Sequence, residues 1–180
     1  MKDFISLLFY TNGLYIADAS HDTMVNGSGL NPGPYSVFAY DGLLIPQGAL
    51  ILKKPGSGSL YYIFHNTVDN YPLNYSYSYY LYLTVVDMNA NGGLGAVLTK
   101  NQVLINDTMN VGKIAACRHA NGRDWWVICH RVNSDKYIKL LVTPYGLPSI
   151  NYQGIGLHHY WDAGQAKFSP DGTKFAYYHY

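Results

Sequence analysis

Two short constellations in this chain carry residue types that could do chemistry. The first is Arg118-His119-Ala120-Asn121-Gly122-Arg123-Asp124-Trp125-Trp126. Asn121-Gly122 suits a two-residue hairpin turn, because both positions tolerate positive φ. With Ala120 opposite Arg123, His119 faces Asp124 across the strands. An imidazole oriented by a carboxylate is a unit of general acid–base catalysis. Beside two indoles the same pair is also a polar lock for a hairpin. No G-x-S-x-G nucleophile elbow accompanies it. The reading adopted is structural: His119, Asp124, Trp125 and Trp126 fix the hairpin and its core.

The second is Asp87-x-Asn89-x-Asn91-Gly92, whose alternating oxygen side chains open like a calcium loop. The twelfth position of such a loop is Leu98, where a bidentate Glu is needed. Asp87, Asn89 and Asn91 are therefore the only metal candidates, and a polar turn is the reading preferred. The adjacent His158 and His159 point to opposite sides of an extended chain and cannot readily share one ion. No C-x-x-C or other zinc spacing occurs among the 7 His and 2 Cys. No cofactor is expected. Segment 66–80 holds Tyr71, Tyr75, Tyr77, Tyr79 and Tyr80 with little charge. Exposed Tyr can stack on a sugar ring or anchor a protein, since it offers area with a polar tip. Tyr71, Tyr75 and Tyr77 are the candidate ligand contacts. The competing reading is an insertion that lies over a neighbouring element, and it predicts more exposure here than in the flanking strands.

The elements that must carry these residues are strands. Short apolar runs with a period near two, bounded by Gly, Asn, Asp or Pro, fall at 4–10, 14–18, 49–53, 60–65, 79–87, 102–106, 113–119, 124–131, 136–143, 165–169 and 174–180. No stretch of ten residues has a capped helical stripe. Asn12-Gly13, Asn91-Gly92 and Asn121-Gly122 are hairpin turns. Ser169-Pro170-Asp171-Gly172 is another, in which Asp171 and Gly172 are structural. In the 121–122 hairpin Cys117 lies opposite Trp126 and Cys129 opposite Ile114. The two thiols then point to opposite faces and no disulfide forms. Trp125, Trp126, Ile128, Leu141 and Phe168 are expected to be buried.

Many short antiparallel strands mean a sandwich, a barrel or a propeller. Repetition favours the propeller. Leu60-Tyr61-Tyr62-Ile63-Phe64-His65 matches Asp124-Trp125-Trp126-Val127-Ile128-Cys129-His130 in character, and Lys174-Phe175-Ala176-Tyr177-Tyr178-His179 begins the pattern again. Leu7-Leu8-Phe9-Tyr10 is a weaker first copy.

The 180 residues suffice for one domain with a core. Charged residues make up only 13%, against 48% hydrophobic, and the formal net charge is +1. There is no basic field for nucleic acid and no apolar run of membrane-spanning length. The first ten residues are too short an apolar stretch for a signal peptide.

Segments 8–13, 47–52, 86–95, 118–126 and 168–176 together resemble the N-terminal WD-repeat-like propeller region of large secreted Bacteroidetes proteins. These often end in type IX secretion sorting or gliding-motility-associated domains. The Ser169-Pro170-Asp171-Gly172 turn resembles that of WD-repeat-like and TolB-like blades. The resemblance implies an all-β partial β-propeller of four-stranded antiparallel blades: 1–45 (partial), 46–110, 111–160 and 161–180 (partial). It also implies a piece of a longer protein, with further blades and domains as partners, at the cell surface or outside the cell. The expected function is a non-catalytic module that binds a protein or glycan or spaces other domains. The alternative is a propeller attached to, or part of, a secreted hydrolase. A glycosidase needs two carboxylates ~5–10 Å apart, and most of the 11 acids sit in turns.

Overall fold

A computed structural model describes residues 7–73, 76–160 and 164–178. The protein is all-β, with 54% strand and 5% helix, arranged in several antiparallel sheets. Strands β1 (Phe9–Thr11), β2 (Tyr15–Asp18) and β3 (Thr23–Ser28) form an antiparallel meander. A five-residue helix α1 (Pro34–Phe38) follows, started by Pro34 in its first turn. Strands β4 (Ala49–Lys53), β5 (Leu60–His65), β6 (Tyr77–Asp87) and β7 (Ala96–Asn110) make a four-stranded antiparallel array, each pairing with the next. The parallel bridge Val25↔Ala96 joins the meander to it in one seven-stranded sheet. Strands β8 (Ala115–Arg118), β9 (Trp125–His130), β10 (Ser134–Thr143) and β11 (Gly146–His159) form a second four-stranded sheet. Strands β12 (Ala166–Phe168) and β13 (Phe175–Tyr177) close the chain as a hairpin.

The β4–β7 array is apolar on both faces, which is why its sequence reads as near-continuous hydrophobic runs. Phe64, Tyr62, Leu81 and Leu83 point one way, into a core shared with Val127, Cys129, Ile138, Leu140 and Val142 of the second sheet. Ile63 and Val86 point the other way and meet Phe9, Ile16, Met24 and Leu30. At roughly 1.5–3 kcal/mol per fully buried large side chain, these two layers are the dominant stabilising term.

The hairpin register agrees with the turn chemistry: Cys117 pairs with Trp126, and both cysteines are free thiols. Burial of the second sheet is less even than expected. Val127, Cys129, Leu140 and Val142 are buried, whereas Trp125, Trp126, Ile128, Leu141 and Phe168 are only half-buried. The reason is the partner. One face of β9–β10 packs on a whole four-stranded array; the other meets only the two-stranded β12–β13 hairpin. Trp125 sits at the sheet margin, where its indole N–H donates to the Lys53 carbonyl at 3.1 Å.

Segment 66–80 is uneven: Asn66, Thr67, Val68 and Asn70 are buried, whereas Pro72 and Leu73 are exposed and no residue of β5 or β6 is. Three elements went unforeseen: α1, β3 and β11. β3 buries only Met24 and Gly27, and residues 150–158 of β11 are all exposed. Strands with two solvated faces carry no apolar alternation to read.

Two histidines occupy the same place in the two four-stranded sheets. His65 ends β5 opposite Tyr82, and His130 ends β9 opposite Tyr137. Both pairs are in ring contact, at 5.6 and 4.7 Å between centroids. The matching His179 of the third copy lies outside the described residues.

Candidate functional site

Strand polarity decides which loops meet. β1, β3, β5 and β7 all run towards one end, β3 parallel to β7 and the rest alternating antiparallel. The β1–β2 turn, the β3–β4 connection and the β5–β6 connection therefore share that end. They enclose a cavity of about 590 Å³ lined by Asn12, Tyr35, Phe38, Tyr40, Asp41, Leu44 and Tyr71, with backbone from 39–43.

Each wall has a local cause. Tyr35 and Phe38 stand three apart on α1, so they share one side of the helix. Both rest on Tyr71, with ring centroids 5.4 and 5.3 Å away and planes tilted by 56° and 50°. Tyr71 is positioned by the clamp behind it. The Asp69 amide donates to the Tyr77 carbonyl, and the Tyr77 amide donates to Asn70 Oδ1 at 2.6 Å. Asp69 Oδ2 accepts the amides of Tyr79 and Tyr80 at 2.6 and 3.2 Å. Burial raises the Asp69 carboxyl above its ordinary range, and the two amides pull the other way. Asn12 Oδ1 accepts the amides of Leu14 and Tyr15, and the Asn12 carbonyl accepts the Leu43 amide at 2.9 Å. Loop 39–44 can lie this close because Gly42 adopts φ +126°; a Cβ there would meet Asn12 at 3.1–3.2 Å. The rim is apolar and open: Phe38, Tyr40 and Leu44 are all exposed, Tyr40 and Leu44 at 89%.

Of the residues singled out from sequence, Tyr71 is the one in this cavity. Tyr77 belongs to the clamp behind it, half-buried at the start of β6. Tyr75 lies outside the described residues. Tyr35, Phe38, Tyr40, Asp41 and Asn12 were not anticipated. The spacing Tyr35-x-x-Phe38 directly after Pro34 was the available signal, hidden by the shortness of the helix.

The His119–Asp124 pairing is corrected. The two residues are neighbours across the turn, but their hydrogen bond runs between the His119 amide and the Asp124 carbonyl, at 2.9 Å, not between the side chains. Asp124 is buried and its carboxylate is satisfied by Arg123 Nε at 2.8 Å and Asn121 Nδ2 at 2.8 Å. The guanidinium of Arg123 holds the Asp124 carboxyl below the usual range. His119 instead lies against Trp126, 5.7 Å between centroids, and its Nδ1 accepts the Asn121 amide. Arg118 sits 3.6 Å over the Trp125 ring. Asp171 caps its own turn, accepting from the Ser169 hydroxyl at 2.5 Å and the Thr173 amide, with Gly172 at φ +71°.

Asp87 Oδ1 accepts the Asn89 amide, which holds the carboxyl low, and Asn91 and Gly92 supply the positive φ of the turn. Among the described residues no three His, Cys, Asp or Glu side chains gather as a metal site, and no helix is long and apolar enough to cross a membrane. Compared with protein-family models, curated proteins and solved structures, the chain matches none.

Proposed function

We propose that this chain is a non-catalytic segment of a β-propeller in a secreted or cell-surface protein, and that it binds a protein or glycan partner through the aromatic cavity at its loop end. The propeller reading rests on the succession of sheets. A four-stranded antiparallel array, extended by the β1–β3 meander through the β3–β7 pairing, packs face to face on a second four-stranded sheet, and a hairpin follows. That order fits blades at 46–110 and 111–160 between partial blades at 1–45 and 161–180. Secretion rests on the sequence resemblance alone.

The observation that carries the binding reading is Tyr71 wedged against Tyr35 and Phe38 beside a solvent-open cavity with an apolar rim. A pocket lined by aromatic rings with a few polar groups is the ordinary form of a recognition site. Tyr at such a place contributes large contact area at low entropic cost. The test is titration of the chain with a panel of soluble oligosaccharides and with any partner isolated from its source, following backbone amide shifts. Ligand binding at 35–44 and 71 is expected, with Tyr71→Ala and Tyr40→Ala weakening it about tenfold or more. A ligand that both variants bind with full affinity removes the cavity from the function.

A further inference from the structure

The lining of the loop cavity has an electrical asymmetry. Four aromatic side chains, Tyr35, Phe38, Tyr40 and Tyr71, stand around it, and among the described residues that line it Asp41 alone is charged, with no Lys, Arg or His. The Asp41 carboxylate has no hydrogen bond or ion pair among the described residues. Ring faces carry the negative end of the aromatic quadrupole, so a cation seated on them beside a carboxylate meets one sign of potential. A neutral sugar would gain nothing from that sign, and an anion would be repelled.

We infer that the cavity selects an organic cation, specifically a methylated ammonium group. This deepens the binding reading above and rests on it. The degree of alkylation follows from the walls. A bare ammonium or a metal ion keeps its hydration shell, and one carboxylate with apolar walls offers too few accepting oxygens to replace it. A trimethylammonium group is weakly hydrated, presents methyl groups to the rings and keeps its full charge. Tyr35 and Phe38 both meet Tyr71 at tilts of 56° and 50°, so the aromatic wall is not one flat platform of the kind that stacks on a sugar ring. Asn12 Nδ2 has no acceptor among the described residues and can donate to an oxygen on the ligand's next carbons. The same headgroup occurs on a small choline-type molecule and on a trimethylated lysine side chain, and both arms belong in the test.

The experiment uses the chain as described, with amide chemical shifts as readout. The probes are choline, a short peptide with one trimethyllysine, the uncharged isostere 3,3-dimethylbutanol, and a neutral oligosaccharide. Choline or the peptide should shift residues 35–44 and 71, with the isostere about tenfold weaker. Asp41→Asn should weaken the cations about tenfold and leave the isostere unchanged; Asp41 is exposed, so folding is not at stake. Tyr71→Leu gives a second variant that keeps apolar volume and removes the ring. Equal binding of cation and isostere overturns the inference, as does full cation affinity in Asp41→Asn. Binding of the oligosaccharide at these residues without any response to the cations overturns it too, while leaving the binding-module reading intact. No response to any probe at 35–44 and 71 counts against both.

Discussion

His65 is held in one protonation state by its neighbours. Its Nδ1 contacts Asn31 Oδ1 at 2.8 Å, and Asn31 Nδ2 donates to the Gly13 carbonyl, so Oδ1 is the acceptor and Nδ1 carries hydrogen. Nε2 then accepts from the Thr84 hydroxyl at 2.9 Å, which itself receives the Asn101 amide. Every site is satisfied by a neutral imidazole, and burial pushes its pKa down to about 3. The unfolded chain takes up this proton near pH 6.5 and the folded chain does not. The stabilising contribution is therefore complete above pH 6.5 and shrinks as pH falls towards 3, by about 1.4 kcal/mol per pH unit. His65→Gln should remove that slope: urea midpoints of the variant, measured from pH 7 to pH 4, should fall less steeply than those of the native protein. Equal slopes would show that His65 is not shielded in this way. The sequence shows His65 as the last residue of a repeated segment, but its role in the hydrogen-bond chain was not legible there. Its meaning depends on Asn31, which is 34 residues away in the chain.

The β12–β13 hairpin is the element with the least support. Two strands of three residues are marginal alone. Phe175 packs on Phe168 and Tyr137, and Tyr177 on Tyr137 and His159. Gln47 does the rest: its Nε2 donates to the Ala166 carbonyl at 2.9 Å and its Oε1 accepts the Ala166 amide at 2.7 Å. One side-chain amide thus stands in for a neighbouring strand on the outer edge of β12. Gln47→Ala should lower hydrogen-exchange protection at Ala166 and Tyr177 by about tenfold, leaving Val127 and Leu140 unchanged. Uniform loss across both sheets would mean that the hairpin opens only with the whole fold. The hairpin itself was legible, because Ser169-Pro170-Asp171-Gly172 is a local signal. Gln47 was not, since a side chain that replaces a strand has no pattern of its own. The same contrast separates β5, β6, β9 and β10, read directly from apolar runs, from β3 and β11, whose solvated faces hide them. It also separates Tyr71, flagged by composition, from Tyr35 and Phe38, which a single helical turn brings to it.

The whole molecule exposes more apolar surface than its charge can keep apart. Ile150, Tyr152, Ile155 and Leu157 are exposed along β11, Leu157 at 80%. With +1 formal charge there is little mutual repulsion. Long exposed edge strands of this kind template association. Light scattering should show mass rising with concentration, and the double variant Ile155→Lys, Leu157→Lys should return it to that of one chain. A constant single-chain mass at high concentration for the native sequence would place β11 outside any association surface.

Lys113 gives the hairpin a chemical signature. Its side chain is 1% exposed, Nζ donates to the Tyr178 carbonyl at 2.6 Å and sits 4.0 Å over the Tyr177 ring. An amine hydrogen-bonded to a carbonyl beneath an aromatic face is closed to acylating reagents, which need a free lone pair and a path in. Lys53, Lys136 and Lys174 lie at the exposed surface and have no such shelter. Lys113 is uncovered when β13 is lifted from the second sheet. Its modification therefore reports the opening of one hairpin, following the open population where reclosing outpaces the reagent and the opening rate where it does not, which makes this lysine a slow clock built into the chain.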